Sequence, residues 1–202
     1  MAIRVVLVDD QALVRGALAA LLDLEIDLTV VGEASSATEA IALAASVTPD
    51  VVLMDVDMPG MDGIEATAAL RASGSTARVL IVTTYGRPGY LRRALQAGAC
   101  GFVVKDTPAR LLADAVRRVH TGMRVVDPAL AMDSLIAGDS PLTAREADVL
   151  RAVLDGGSIT DIAAAVHLSE GTVRNHLSNV IGKTNARNRA DAARVAQENG
   201  WL

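Results

Sequence analysis

The chain is poor in several residue types that would narrow its function at once. Aromatic residues make up 2% of its 202 residues, and Cys100 is its single cysteine. One cysteine excludes an internal disulfide and is typical of a reducing compartment. No apolar run approaches the roughly 20 residues of a membrane-spanning helix. The start, MAIRVVLVDD, has neither the apolar segment nor the cleavage site of a signal peptide. We therefore expect a cytoplasmic protein without membrane insertion.

Aliphatic residues, by contrast, are abundant, since hydrophobic residues make up 51% of the chain. Short apolar runs alternate with Ala-rich segments of helical length, a pattern that predicts repeated βα units and a parallel sheet. We expect a doubly wound α/β domain with five strands over residues 1–120. The five runs are IRVVLV (3–8), LTVVG (28–32), DVVLM (50–54), RVLIVT (78–83) and GFVVK (101–105).

The pattern changes after His120, where glycine and proline become frequent. Residues 121–141 read as a linker with a short helix around 129–136. From residue 142 to 202 no strand pattern appears, and four helices are predicted instead. Their starts are marked by Thr143 with Glu146, by Ser158 with Asp161, by Ser169, and by Asn188 with Asp191.

Charged residues stand at the carboxyl ends of three predicted strands: Asp9 and Asp10 after the first, Asp55 after the third, and Lys105 after the fifth. In a doubly wound sheet these ends meet along one edge. Clustered carboxylates need a counter-ion, and Mg²⁺ suits one or two carboxylates together with phosphate oxygens. Asp55 could then attack a phosphoryl group, and Lys105 would pair with its charge.

The segment SEGTVRNHLSNVIGK (169–183) predicts an amphipathic helix. Its apolar positions fall on one side, and its polar positions point the other way. With residues 158–169 it forms the layout of a helix-turn-helix. The chain carries a net charge of −5, but residues 170–194 hold five basic and two acidic residues. The candidate DNA contacts are Thr172, Arg174, Asn175, Ser178, Lys183, Arg187 and Arg189.

Two sets of motifs resemble known domains. VLVDD (6–10), VVLMDVDMPGMDG (51–63), VT (82–83) and GFVVKD (101–106) resemble the receiver domain of bacterial two-component response regulators. LTAREADVL (142–150), LSEGTVRNHLS (168–178) and ARNRADAARVA (186–196) resemble the LuxR-type four-helix DNA-binding domain. Together they are similar to response regulators of the NarL/FixJ class.

The resemblance implies a flavodoxin-like fold with strand order 2-1-3-4-5. It also implies that Asp55 is the phosphoacceptor and that Asp9, Asp10, Asp55 and the main-chain carbonyl of Asp57 hold Mg²⁺. The other implied site residues are Lys105 as the phosphate-pairing base, Thr83 as the switch hydroxyl and Phe102 as the switch aromatic. The implied partners are a cognate histidine kinase, promoter DNA and a second copy of the chain.

The residues leave two other hypotheses open. Asp55 and Asp57 are spaced like the paired acids of aspartate-dependent phosphatases, although Pro59 stands where that family has Thr or Val. The second hypothesis is a DNA-binding regulator that does not use phosphorylation. The complete set of acids, together with Thr83 and Lys105, argues against it. We therefore expect a regulator rather than an enzyme. Two departures from the DNA-binding family are Gly182, which weakens the end of the recognition helix, and Ser178, which replaces a frequent basic residue.

Overall fold

The computed structural model describes residues 2–84, 86, 88–136 and 140–202. The chain forms two compact units: the first comprises residues 2–86 and 90–132, and the second comprises residues 133–202 together with the short segment that ends at residue 89. This division does not set off a linker, so the bounds 1–120, 121–141 and 142–202 stay predictions. No helix within the described ranges is long and apolar enough to cross a membrane.

The first unit is built on a parallel sheet with strand order β2-β1-β3-β4-β5-β6. The first five strands follow the order that the resemblance implies. They are β1 (Ile3–Val8), β2 (Leu28–Ala34), β3 (Val51–Met54), β4 (Arg78–Thr83), β5 (Gly101–Val104) and β6 (Val125–Val126).

The expectation of five strands is wrong by one short edge strand. β6 pairs with β5 through Val125 opposite Gly101 and Val126 opposite Phe102. Two residues are too few to show an alternating pattern, and Gly122 just before them indicates a turn. The sequence pattern therefore gives no indication of this strand, which lies within the predicted linker.

Helices cover both faces of the sheet. Successive strand residues point to opposite faces, so Val5 and Leu7 pack with α1 and α5, while Val6 and Val8 pack with the other layer. Alanines on the helices allow close packing with few aromatic side chains, as in the buried Ala40 of α2. The helices of this unit are α1 (Ala12–Leu22), α2 (Ala37–Val47), α3 (Gly63–Ala72), α4 (Pro88–Ala97) and α5 (Ala109–His120).

The four helices predicted after residue 142 are present, and so is the short helix of the expected linker. Each of the four begins at the predicted cap: Thr143 and Ser158 form complete capping boxes, and Ser169 and Asn188 accept the backbone N–H three residues on. Their apolar faces meet in one core. The helices are α6 (Pro128–Ile136), α7 (Ala144–Leu154), α8 (Ile159–Ala165), α9 (Glu170–Thr184) and α10 (Arg189–Glu198).

Candidate metal centre and nucleic-acid interface

Three carboxylates meet at the carboxyl edge of the sheet. Asp9 follows β1 and Asp55 follows β3, and both are about 2% exposed, whereas Asp10 is open to solvent. One carboxylate oxygen of each lies within 4.8 Å of the others. The backbone extends the strand ladders into the site, because Asp9 N–H donates to Ala34 and Asp55 N–H donates to Val8. The predicted juxtaposition of the three acids is confirmed.

Lys105 is the counter-ion of this cluster. Its Nζ lies 2.7 Å from Asp9 Oδ2 and 3.0 Å from Asp55 Oδ2. The Lys105 main chain is fixed as well, since its N–H donates to the carbonyl of Thr83 at 2.8 Å.

Burial and charge act against each other in this group. Burial lowers the pKa of Lys105, but its contacts with Asp9 and Asp55 outweigh burial and leave that pKa raised. Burial raises the pKa of Asp55, the negative charge of Asp9 adds to the rise, and Lys105 only partly opposes it. Three acids beside one ammonium leave the site with excess negative charge, which a bound cation would offset.

The donor set fits Mg²⁺. Hard divalent cations prefer carboxylate and carbonyl oxygens, and Mg²⁺ needs only one or two carboxylates from the protein. No contact places the main-chain carbonyl of Asp57, so its part as a ligand stays a prediction. The side chain of Asp57 is exposed and accepts a hydrogen bond from Tyr90 Oη at 3.0 Å.

Thr83 and Phe102 lie on the strands next to the acids. Thr83 ends β4 and is fully buried, and its Oγ1 has no hydrogen-bond partner among the described residues. A buried hydroxyl without a partner is destabilising. An acceptor arriving at the acidic edge would satisfy it. Phe102 on β5 is also fully buried, within the core layer that contains Met54 and Ile81.

Sequence reasoning missed three side chains that hold the loops of this site. Tyr90 Oη donates a hydrogen bond to Asp57, and Arg93 Nη2 donates to Asp62 Oδ2 at 3.1 Å. One face of α4 is therefore hydrogen-bonded to the loop after β3. Arg15 Nη1 donates to the carbonyl of Asp9 at 2.7 Å. The available signal was the three-residue spacing of Tyr90 and Arg93, which places both on one helix face.

The helix-turn-helix has the predicted geometry. His167 adopts the left-handed conformation, with φ of 54°, in the turn between α8 and α9. Val173, Leu177 and Val180 are buried in the core, as their spacing predicts. The opposite face of α9 is exposed, and it adjoins a shallow concave surface lined by Arg174, Leu177, Ser178, Ile181, Arg187, Asn188 and Arg189.

The predicted DNA contacts differ in how firmly the domain already holds them. Arg174 pairs with exposed Glu170 at 2.8 Å, and Asn175 and Ser178 face solvent. Lys183, however, donates to Glu146, which is buried, at 2.7 Å.

The remaining predicted contacts also have partners inside the domain. Arg187 pairs with Asp191, Arg189 Nη2 donates to the carbonyl of Gly157, and Thr172 Oγ1 is hydrogen-bonded to Ser169. Contact of any of these residues with DNA stays a prediction.

Comparison with known proteins assigns both units to families. Residues 5–117 match the response regulator receiver domain, and residues 140–196 match the luxR family of bacterial regulatory proteins. The chain therefore belongs to the two-component response regulators that join a receiver to a LuxR-type DNA-binding domain.

Relatives of similar length support the assignment. The chain is 42% identical to an uncharacterized transcriptional regulatory protein, YvfU of Bacillus subtilis, over 99% of this chain and all of the relative. It is 36% identical to the response regulator VraR of Staphylococcus aureus over the whole of both.

Solved structures of full-length proteins also resemble the chain. The crystal structure of the response regulator ChrA matches with 36% sequence identity and a TM-score of 0.61. This match covers 100% of this chain and 99% of the ChrA chain. A complex of the response regulator RcsB with DNA is 21% identical, covers 98% of this chain and 99% of its own, with a TM-score of 0.71. At that identity RcsB shows a shared fold only.

Proposed function

We propose that this transcriptional response regulator is switched by phosphorylation of Asp55. One observation carries the proposal: a buried Asp55 lies beside two further carboxylates and Lys105, on a sheet edge where the Thr83 hydroxyl has no partner among the described residues. A cognate histidine kinase is the proposed phosphoryl donor. The protein would catalyse at most its own phosphorylation and dephosphorylation.

The transfer assigns a role to each side chain. An Asp55 carboxylate oxygen attacks the phosphorus of a phosphohistidine, the P–N bond breaks, and an aspartyl phosphate forms. Lys105 Nζ, already 3.0 Å from Asp55, pairs with the phosphoryl oxygens. Asp9, Asp10, Asp55 and the carbonyl of Asp57 would hold Mg²⁺. When bound, the ion supplies positive charge that offsets the crowded carboxylates and phosphoryl oxygens.

The switch follows from the added charge. A phosphoryl group brings close to two negative charges and several acceptor oxygens. The buried hydroxyl of Thr83 gains an acceptor by moving toward them, which frees space beside β4. Phe102 on the neighbouring strand is the large side chain that would respond, because Thr83 and Phe102 lie on paired strands.

The output is DNA binding by a dimer. Two C-terminal domains would place their α9 helices in successive major grooves, about 34 Å apart, on half-sites of promoter DNA. Arg174, Asn175 and Ser178 present the exposed face that would contact DNA, Asn175 at an adenine and Arg174 at a guanine or a phosphate. Such a regulator would act in the cytoplasm, where it has access to both the histidine kinase and the chromosomal DNA.

Phosphorylation-dependent DNA binding tests this proposal. The full-length protein is incubated with acetyl phosphate and Mg²⁺, and its affinity for a duplex selected from a random-sequence pool is measured by fluorescence anisotropy. We expect tighter binding by the phosphorylated wild type and no change in Asp55→Asn. Equal affinity of the two wild-type forms would reject the switch.

A further inference from the structure

Lys183 differs from the other basic residues predicted to contact DNA, because its charge is used inside the domain. Its Nζ lies 2.7 Å from Oε2 of Glu146. Glu146 is only 3% exposed, which makes it one of the few buried charged residues of the chain. The same Oε2 accepts hydrogen bonds from Thr143 N–H at 2.7 Å and from Thr143 Oγ1 at 3.0 Å.

This contact joins two helix ends that are far apart in sequence. Glu146 closes the capping box at the start of α7, and Lys183 lies in the last turn of α9, 37 residues later. One carboxylate therefore caps the first helix and anchors the recognition helix. A cation in the last turn of α9 also has favourable interactions with the helix dipole.

The anchor lies where α9 is locally weak. Gly182 precedes Lys183, and a Cβ built there would meet nothing within 4 Å, so packing does not explain this glycine. Glycine in a helix is destabilising relative to alanine. The helix then ends at Asn185 in a left-handed conformation, with φ of 50°. The ion pair thus adds a polar contact with α7 to the packing of Val180 and Ile181 in the core at the end of α9.

We propose that Lys183 is a positioning residue, which fixes the end of the recognition helix on α7 through Glu146 and makes no phosphate contact of its own. The proposal rests on the DNA-binding function above and revises the predicted contact set. A lysine that turned to a phosphate would leave the buried carboxylate of Glu146 with the donors of Thr143 alone, and unpaired buried charge is strongly unfavourable. Arg174 has no such constraint, because its partner Glu170 lies near the surface.

Salt dependence of DNA binding separates the two roles. Each lost phosphate contact lowers the slope of log affinity against log salt by about 0.9. Full-length Lys183→Met, Lys183→Arg, Glu146→Gln and the double variant Glu146→Gln with Lys183→Met are compared with wild type on the selected duplex from 50 to 300 mM KCl. Arg174→Met is the matched control, since it removes an exposed cation from the same helix.

A positioning role predicts a distinct set of results. Lys183→Met weakens binding several-fold with an unchanged slope, and Lys183→Arg retains most of the affinity. Adding Glu146→Gln to Lys183→Met restores part of it, because the unpaired buried charge is gone. Arg174→Met lowers the slope. A slope reduced by about 0.9 per protomer in Lys183→Met, or affinity lost equally with and without Glu146→Gln, would overturn the proposal.

A measurement without DNA keeps this test separate from the proposed function. If the wild type bound no duplex, the DNA-binding function would fail, and hydrogen exchange would still decide the role of Lys183. Amides of residues 180–184 should exchange faster in Lys183→Met than in wild type and return to wild-type rates in Lys183→Arg. Unchanged exchange in Lys183→Met would contradict an anchoring role.

Discussion

Gly63→Ala tests how tightly the segment around Asp55 is packed. Gly63 is the first residue of α3, and a Cβ built on it would overlap the main-chain carbonyl oxygen of Asp55 and lie 2.8 Å from its carbon. Neither segment can move freely. Asp55 N–H donates to the carbonyl of Val8, and Gly63 N–H donates to the carbonyl of Val56.

The expected cost can be worked from this geometry. Overpacking costs about 1–3 kcal/mol when side chains can adjust, and backbone distortion raises it, since a 15° change in bond angle costs about 4 kcal/mol. We therefore expect Gly63→Ala to lower the free energy of unfolding by about 3 kcal/mol, the upper end of the overpacking range. At about 4 °C per kcal/mol for a domain of this size, that lowers the melting temperature by on the order of 10 °C.

Thermal unfolding followed by circular dichroism measures this effect. Gly16→Ala is the matched control, because Gly16 lies in α1 and its Cβ would meet nothing within 4 Å. That change should stabilise by about 0.5–1 kcal/mol. A Gly63→Ala protein that melts within 2 °C of wild type would refute the reasoning, and the turn would then be adaptable rather than fixed against Asp55.

Two further predictions concern the switch and the anchor. Thr83→Val removes a buried hydroxyl that has no partner among the described residues, so it should stabilise the protein by about 1 kcal/mol. It should also abolish the effect of phosphorylation on DNA affinity. A lower stability of Thr83→Val in calorimetry would mean that the hydroxyl has a hydrogen-bond partner. Lys183→Met should destabilise by about 1–3 kcal/mol at pH 7, less than the 3–5 kcal/mol for breaking a fully buried pair, because Lys183 is partly exposed. Burial raises the pKa of Glu146, but its bonds to Lys183 and Thr143 leave that pKa below the ordinary 4.5. A lowered folded pKa stabilises above pH 4.5 and loses this effect as pH falls through the folded value, so the difference between Lys183→Met and wild type should shrink in acid. Because the loss occurs only below pH 4.5, a difference that stays constant from pH 7 to about pH 3 in urea titrations would exclude the ion pair as its source.

The sequence predicted those parts of the structure that depend on local pattern. Apolar runs identified the first five strands, and the acids directly after them had to lie at the carboxyl edge of the sheet. Cap residues such as Thr143 and Ser158 predicted helix starts because the bonds they make span only three residues.

The sequence could not reveal contacts between distant segments. In the turn after Asp55 the positive φ belongs to Gly60, at 80°, whereas Gly63 is needed because the main chain of Asp55 lies against it. The contact of Lys183 with Glu146 could not be predicted either, because the two residues are 37 positions apart in the sequence. A basic residue beside a polar helix face gives no sign of being engaged elsewhere.

Intact mass spectrometry of the protein tests most directly the central claim that Asp55 accepts a phosphoryl group. Wild type and Asp55→Asn are incubated with acetyl phosphate in the presence of Mg²⁺ or of a chelator. The account predicts the gain of one phosphoryl group by the wild type with Mg²⁺ and by neither control. No gain in the wild type, or an equal gain in Asp55→Asn, would contradict the claim that Asp55 receives the phosphoryl group.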